Sequence, residues 1–272
     1  MYIRTNLIIM FFVSSFFSAQ NSSIIYELIY KPSTNSDYTK TKTFYLDIIG
    51  SESVFRDDFR RHSDSIINYR GSYGLAYSNN YNDQIYIKKD LKKNKIAKYI
   101  VSPVSLDKFY INIDTKLNWK LLSDTQKIGS MQCQKAETDY GGRHWIAWFT
   151  QEIQLSEGPY IFHGLPGLIV QVEDSNHEYM FKLAKTRKFN SDTSFSIQGA
   201  KEINWDAFVK VQQDFYADPY AFVKAGGYKA VQDDGNGGVK KLDFREATLS
   251  TQKFIKKNDN QVEKDRIIKY PK

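Results

Sequence analysis

Alternation of apolar and polar side chains is the main pattern of this chain, and it predicts β-strands with one buried face. Tyr26 and Leu28, for example, flank Glu27. Similar alternation occurs in residues 44–48, 85–87, 109–113, 131–134, 144–149, 168–173 and 178–183. Strands with one polar face are typical of antiparallel sheets. The pattern therefore predicts a mainly β fold of the α+β class, built on a curved antiparallel sheet.

Two hairpins connect neighbouring predicted strands. Tyr140, Gly141 and Gly142 separate the strand at 131–134 from the strand at 144–149, and glycine adopts positive φ at little cost. Residues 174–177 are all turn-forming types, and they separate the strands at 168–173 and 178–183.

Helical periodicity is clear only in residues 204–223, where it predicts one or two helices. Asn204 is a suitable N-cap, and a shorter apolar turn covers residues 219–223. A weaker candidate helix, at residues 53–69, is diluted by charge. From Thr251 onward the chain is mostly polar, which predicts an edge strand or a frayed tail. No linker divides the chain, so residues 20–272 are predicted to form a single domain.

The first 19 residues have the pattern of a secretory signal peptide. Arg4 supplies positive charge, residues 7–17 are almost entirely apolar, and Ala19 precedes the expected cleavage site. The alternative is an uncleaved anchor helix, but the apolar stretch is about half of the roughly 20 residues that span a bilayer. We therefore expect an exported protein, periplasmic or secreted, that does not span the membrane after cleavage.

Composition narrows the choice of function. Aromatic residues make up 15% of the chain and supply large apolar area for a core. The single cysteine excludes an internal disulfide and any metal site built from several cysteines. The formal charge of +7 falls to +6 without residues 1–19, which contain one arginine and no acid. This modest excess is no sign of a nucleic acid partner, and none is expected.

Candidate catalytic chemistry is sparse. The chain contains none of the common motifs for a catalytic serine, a zinc site, a phosphate-binding loop or a dinucleotide fold. Cys133 and His144 are close in sequence, but the predicted hairpin places Cys133 opposite Trp148 and His144 opposite Glu137. We therefore predict no catalytic residue, no metal ligand and no cofactor, and the sequence favours a protein that is not an enzyme.

Six lysines lie within residues 88–98, with only Asp90 to offset their charge. Such a cluster is consistent with attraction to an anionic surface. The simpler interpretation is a solvated hairpin or an edge strand whose lysines discourage pairing with other chains.

Residues 145–169 combine aromatic side chains with two rigid chain reversals. The first reversal is at residues 158–159. Residues 165–168 have the pattern of a type II turn, because Pro166 fixes φ at the second position and Gly167 accepts positive φ at the third. So apolar a segment either closes a core or lines a groove. The candidate ligand-binding residues are Trp145, Trp148, Tyr160, Phe162, Leu165 and Leu168.

This segment resembles the signature of the GLPGLI family of exported bacterial proteins, also called the Porph_ging family, whose activity is unknown. The hexapeptide that gives the family its name stands here at residues 164–169. The resemblance is most specific over residues 133–183, where Phe149 and Gln154 replace the usual Tyr and Pro. The resemblance implies export and a shared β-rich body, and it assigns no catalytic residue.

Three functions remain open. The first is a non-enzymatic envelope protein whose aromatic sheet face holds a lipid, another apolar ligand or a segment of an envelope partner; a half-barrel similar to bacterial lipoprotein carriers has this form. The second is a hydrolase, either a peptidase or an esterase, with a site assembled from distant residues such as His163 with Glu173 or Asp174. The third is an assembly factor that docks on an envelope protein through an exposed edge or residues 88–98. The aromatic excess and the amphipathic strands favour the first.

Overall fold

The computed structural model describes residues 21–71, 80–188, 195, 197 and 199–271. Across these residues the chain forms a sheet of twelve strands, a separate two-stranded hairpin and four α-helices. The predicted mainly β fold on a curved antiparallel sheet is confirmed. The predicted signal peptide, residues 1–19, lies outside the described residues. Among the described helices, none combines enough length with enough apolar residues for a bilayer crossing.

The large sheet consists of two meanders joined side by side. Its strands are β1 (Ser22–Tyr30), β2 (Lys40–Ile49), β3 (Glu52–Asp57), β4 (Ile87–Asp90), β5 (Lys95–Val101), β6 (Lys108–Asn112), β7 (Lys120–Ile128), β8 (Met131–Tyr140), β9 (Arg143–Thr150), β10 (Leu168–Asp174), β11 (Tyr179–Lys188) and β12 (Lys201–Glu202). Pairing of β1 with β11 joins the meander β1–β6 to the meander β7–β11. The sheet stays open, with β7 at one edge and β12, which pairs parallel with β6, at the other.

One face of the sheet, here called the core face, carries the main hydrophobic core. Tyr26 and Leu28 of β1 are buried on this face, while Glu27 between them is exposed, as the alternation predicts. The rings of Phe44 and Phe55, on adjacent strands, stack with their centroids 5.0 Å apart. Aromatic pairs of this kind contribute about 0.5–1.5 kcal/mol beyond the area they bury. Much of the aromatic excess is therefore used in packing.

Both predicted hairpins are confirmed. Gly141 and Gly142 connect β8 to β9 with φ values of 62° and 71°, which is the backbone of a type I′ turn. The second hairpin connects β10 to β11, and it pairs Val172 with Phe181 across the strands.

The register of the first hairpin differs from the prediction by two residues. His144 lies opposite Asp139 instead of Glu137, and Trp148 lies opposite Lys135 instead of Cys133. The prediction placed the centre of the turn too early in the chain. Cys133 is nevertheless buried, and burial raises the pKa of its thiol, so the thiolate form is disfavoured.

The helices in residues 204–223 are confirmed as α2 (Trp205–Ala217) and α3 (Ala221–Ala225). The Asn204 side chain caps α2 by accepting a hydrogen bond from the Ala207 N–H at 2.8 Å. The weaker candidate at residues 53–69 divides into the end of β3 and α1 (Asp58–Arg70). Its charged residues lower the helical periodicity, which explains the weak signal.

The predicted edge strand or frayed tail after Thr251 is wrong. Residues in this region form α4 (Phe244–Lys257), in which Thr251 and Ile255 are the buried positions. Residues 258–268, here called the C-terminal strap, then lie against the core with Val262 and Glu263 buried. The polar composition of this region gave no sequence pattern for either element. The helix α4 buries only Thr251 and Ile255, and the strap is held by polar partners far away in sequence.

Two segments cover the core face of the sheet. The first, here called the covering loop, is residues 151–167 between β9 and β10. Its Phe162 ring packs 4.7 Å from the Trp145 ring, and its Tyr160 ring stacks on Phe181 at 6.3 Å. The second is the C-terminal strap, whose Val262 belongs to the same buried cluster. The aromatic face of the sheet therefore holds residues of its own chain.

The lysine cluster at residues 88–98 lies on interior strands of the sheet. Lys92, Lys93 and Lys95 are exposed, but Lys89 and Lys98 are only 0% and 7% exposed. The interpretation as a solvated hairpin or edge strand is thus wrong for these two lysines. Each of them faces a buried carboxylate from a segment that covers the core.

Candidate functional site

Five of the six predicted ligand-binding side chains are core residues, at most 1% exposed: Trp145, Tyr160, Phe162, Leu165 and Leu168. The sixth, Trp148, lies on the opposite face of β9, where it is half-buried between Lys135 and Gln171 of the neighbouring strands. The structure therefore brings five of these residues together and leaves Trp148 apart. Ligand contact at these side chains stays a prediction, because the covering loop itself fills the space between them.

The hexapeptide at residues 164–169 forms a tighter turn than the predicted type II turn. The Gly167 N–H donates to the Leu165 carbonyl at 2.8 Å, while the Leu168 N–H donates to the Ile153 carbonyl at 3.1 Å. Gly167 has a φ of 151°, and a Cβ at this position would lie 2.0 Å from the Thr150 carbonyl oxygen. Close approach of two backbone segments, in addition to positive φ, therefore requires glycine here.

A buried ion pair anchors the covering loop to β4. The Lys89 ammonium pairs with Glu157 and donates to the Gly158 carbonyl at 2.9 Å. The Ser53 hydroxyl donates to Glu157 at 2.7 Å. Burial lowers the pKa of Lys89, and the Glu157 carboxylate opposes that shift. Such a pair is stable only when its remaining hydrogen-bonding groups are satisfied, as they are here.

A second buried ion pair anchors the C-terminal strap to β5. The Lys98 ammonium lies 2.8 Å from Glu263, whose other oxygen accepts hydrogen bonds from the Tyr140 and Tyr160 hydroxyls. Burial alone would raise the pKa of Glu263, but Lys98 and Tyr160 outweigh it and lower this pKa. Burial also raises the pKa of both tyrosines. At neutral pH the carboxylate is thus ionised and both phenols are protonated, an arrangement suited to holding the strap.

Arg143 joins β9, the β10–β11 turn and the C-terminal strap. All five of its N–H groups have partners: Asp174 at 2.8 Å, Glu178 at 2.6 Å, the Asn260 side chain at 2.6 Å, and the carbonyls of Gln261 at 2.7 Å and Val262 at 2.8 Å. The planar fork of arginine is suited to such a junction. The carboxylates of Asp174 and Glu178 are consequently engaged in structural contacts with Arg143.

The polar cluster that a hydrolase would need is not assembled from the predicted residues. The Nδ1 of His163 lies 2.8 Å from the Ile161 carbonyl, and burial lowers the pKa of this imidazole. Glu173 contacts His177 instead, at 2.8 Å, and Asp174 is bound by Arg143. The described residues also contain no group of three or more histidines, cysteines or acids placed to hold a metal ion.

A solvent-exposed groove of about 640 Å³ is lined by residues outside the large sheet. We call it the Lys-rimmed groove; α3, the short strands β13 (Val231–Asp233) and β14 (Val239–Lys241), and the first turn of α4 form it. Its apolar walls are Val223, Tyr228, Ala230, Val231, Val239 and Phe244. Tyr228, Val231 and Val239 are 60%, 59% and 71% exposed. Large apolar side chains that are this exposed and share one groove are typical of binding sites.

Four lysines line the same groove: Lys224, Lys229, Lys240 and Lys241. Lys224 pairs with Asp218, and its ammonium lies 5.8 Å from the centre of the Phe244 ring. The other three lysines form no ion pair with any residue that the structure describes. The groove thus combines exposed apolar walls with cationic side chains.

Sequence reasoning did not identify this groove. The glycine-rich residues 234–238 have the composition of an ordinary turn, and they connect β13 to β14. Each of these strands has only three residues, which is too short for alternation to be recognised. The available signal was the pair of valines, Val231 and Val239, placed on either side of the loop.

Comparison with protein families confirms the resemblance over the hairpin and the covering loop. The model of a family described as "Protein of unknown function (Porph_ging)" matches residues 141–171. The match begins at the two turn glycines of the β8–β9 hairpin and ends in β10. No curated protein sequence matches the chain significantly.

Several solved structures match part of this chain. The structure of PNGF-II in space group C2 has a TM-score of 0.50 at 14% identity, and the match covers 71% of this chain and 32% of that chain. The P21 form gives 0.49 at 15% identity, covering 71% and 33%. This chain therefore spans about a third of the PNGF-II chain. NE2245, a LolA superfamily protein from Nitrosomonas europaea, gives 0.28 at 8% identity, covering 64% and 89%, and so weak a likeness carries no argument.

Proposed function

We propose that this protein is an exported, non-enzymatic binding module of the cell envelope, and that it takes an apolar ligand in the Lys-rimmed groove. The covering loop fills the aromatic sheet face, so the ligand site is placed in the groove beside α3 instead. The single observation that carries it is the exposure of Tyr228, Val231 and Val239 along one groove.

The size and the walls of the groove support this function. Its volume of about 640 Å³ lies within the range of roughly 300–1,000 Å³ that is usual for small-molecule sites. Apolar surface in water is unfavourable by about 25 cal/mol per Å². A ligand that covers Val231 and Val239 therefore gains affinity by removing this surface from water.

The placement of the titratable groups favours binding over catalysis. Three buried acids are each at most 5% exposed and are paired with a lysine or an arginine: Glu157, Glu263 and Asp174. These groups stabilise the covering loop and the strap. The groove presents lysine as its only titratable side chain besides Tyr228.

Direct titration with Nile red, an uncharged apolar fluorophore, tests the proposal. We expect saturable binding to the purified mature protein and about tenfold weaker binding to the double variant Val231→Ser, Val239→Ser, because a tenfold change corresponds to about 1.4 kcal/mol of lost burial. Leu121→Ser is the control, since Leu121 is 50% exposed on β7 and does not line the groove. Equal affinity in the double variant and the wild type would contradict the proposal.

Export is tested separately by expressing the full chain in a bacterial host. We expect a periplasmic or secreted protein whose first residue is Gln20. Recovery of an intact N-terminus in the cytoplasm would refute this part of the proposal.

A further inference from the structure

The aspartates near the Lys-rimmed groove are engaged by other partners. Asp218 pairs with Lys224. Asp243 accepts hydrogen bonds from the N–H groups of Arg245 and Glu246 at the start of α4. Neither carboxylate forms an ion pair with Lys229, Lys240 or Lys241 within the part of the chain that is described.

The two aspartates of the β13–β14 turn are held by the backbone. Asp233 accepts from the Gly235 N–H at 2.7 Å, and Asp234 accepts from the N–H groups of Asn236 and Gly238 at 2.8 and 2.9 Å. The same two N–H groups lower the pKa of Asp234. These carboxylates therefore shape the turn, and the three lysines remain available to a ligand.

Strand register places apolar and cationic side chains side by side. Val231 lies directly opposite Lys241, and Asp233 lies opposite Val239. Opposite residues in an antiparallel pair share a face, with Cβ atoms about 5 Å apart. An apolar chain that runs from Val239 to Val231 therefore has Asp233 beside its first end and Lys241 beside its second. A carboxylate head group is favoured at the Lys241 end. The two hairpin strands contribute two apolar side chains to the groove, Val231 and Val239, a surface that suits a single acyl chain.

We infer that the ligand is a single-chain amphiphile with an anionic head group, namely a fatty acid. This inference rests on the binding function proposed above and adds the chemical class of the ligand. The acyl chain covers Val231 and Val239, and the carboxylate is bound by Lys241, with Lys229 lining the same groove. Lysine supplies a compact, flexible positive charge, which suits a head group at the open mouth of a groove.

Displacement of Nile red by two ligands of equal chain length tests the inference. The ligands are laurate and uncharged 1-monolauroylglycerol, each used below its critical micelle concentration. We expect laurate to bind about tenfold more tightly at low salt, a difference equivalent to about 1.4 kcal/mol. This preference should shrink at 0.5 M NaCl, because screening of exposed charges is then strong.

A charge-matched pair of variants completes the test. The triple variant Lys229→Gln, Lys240→Gln, Lys241→Gln should lose the preference for laurate and still bind monolauroylglycerol. The control is Lys182→Gln, Lys185→Gln, Lys188→Gln on β11, where the three lysines are exposed, and it should behave as the wild type. Equal, salt-independent binding of both ligands by the wild type would overturn the inference and leave the binding function intact. Failure of Nile red and both ligands to bind would overturn the binding function itself.

Discussion

The two glycines of the hexapeptide at residues 164–169 have different roles. Gly167 lies where a Cβ would come within 2.0 Å of the Thr150 carbonyl oxygen, whereas a Cβ at Gly164 would meet no atom within 4 Å. Both have positive φ, 151° and 89°. The comparison separates the cost of a backbone clash from the cost of a left-handed conformation.

We expect Gly167→Ala to lower the free energy of unfolding by about 3 kcal/mol, because β9 and the covering loop must move apart. Gly164→Ala is the matched control and should cost only about 1–2 kcal/mol, the usual penalty for a Cβ at positive φ. Urea denaturation followed by tryptophan fluorescence measures both. Equal losses in the two variants would show that the close approach to Thr150 is unimportant.

Glu263 makes stability depend on pH. Its pKa is lowered in the folded state, where Lys98 and Tyr160 outweigh the effect of burial. A group with a lowered folded-state pKa stabilises the protein above its unfolded pKa, about 4.3 for glutamate, and this contribution is lost as the pH falls through the folded pKa. Stability should therefore fall in acid.

The variant Glu263→Gln isolates this contribution from that of the other carboxylates. It leaves Lys98 buried without a counter-charge, so we expect it to be about 3–5 kcal/mol less stable than the wild type at pH 7. The difference should shrink below about pH 4, where Glu263 of the wild type becomes protonated. Urea denaturation curves at several pH values measure it. A difference that stays constant down to pH 3 would contradict the assigned ionisation.

At the level of elements, Arg143 holds the C-terminal strap. Arg143→Lys keeps the charge but removes the fork that binds Asn260 and the carbonyls of Gln261 and Val262. Each buried acceptor left without a donor costs about 1–3 kcal/mol. We expect hydrogen exchange in residues 258–268 to become faster, and stability to fall by about 2–4 kcal/mol.

The control for this variant is Arg187→Lys on β11. Arg187 is exposed and lies 5.6 Å above the Tyr45 ring, so its replacement should leave exchange in the strap unchanged. Equal exchange rates in the Arg143 variant and the wild type would mean that the strap is held mainly by Val262 and Glu263.

The strands and the strap show how far sequence predicts this fold. Alternation located most strands and the β8–β9 and β10–β11 hairpins, because a strand with one buried face shows apolar and polar residues in turn along the sequence. Burial of Lys98 could not be predicted from the sequence, since its partner Glu263 is 165 residues away. The candidate groove was missed for a related reason, because its walls come from α3, α4 and two three-residue strands.

At the scale of the whole molecule, the polar interior and the groove are separate. Lys89 and Lys98 bind the covering loop and the strap to the meander β1–β6, and Arg143 binds the strap to the meander β7–β11. Together these three contacts hold the covering loop and the C-terminal strap over the core face. The β13–β14 hairpin, by contrast, is a sheet of its own. Ligand binding in the groove therefore need not disturb the main core.

This separation predicts where a ligand changes hydrogen exchange. With saturating laurate, we expect slower exchange in residues 221–244 and unchanged exchange in residues 145–169, because the former line the groove and the latter are already packed in the core. Hydrogen–deuterium exchange with mass spectrometry measures both regions in one experiment, and the triple lysine variant at the same laurate concentration is the control. Protection that appears instead in residues 145–169 would place the ligand at Trp145, Tyr160 and Phe162. The covering loop would then have to leave the sheet to admit it.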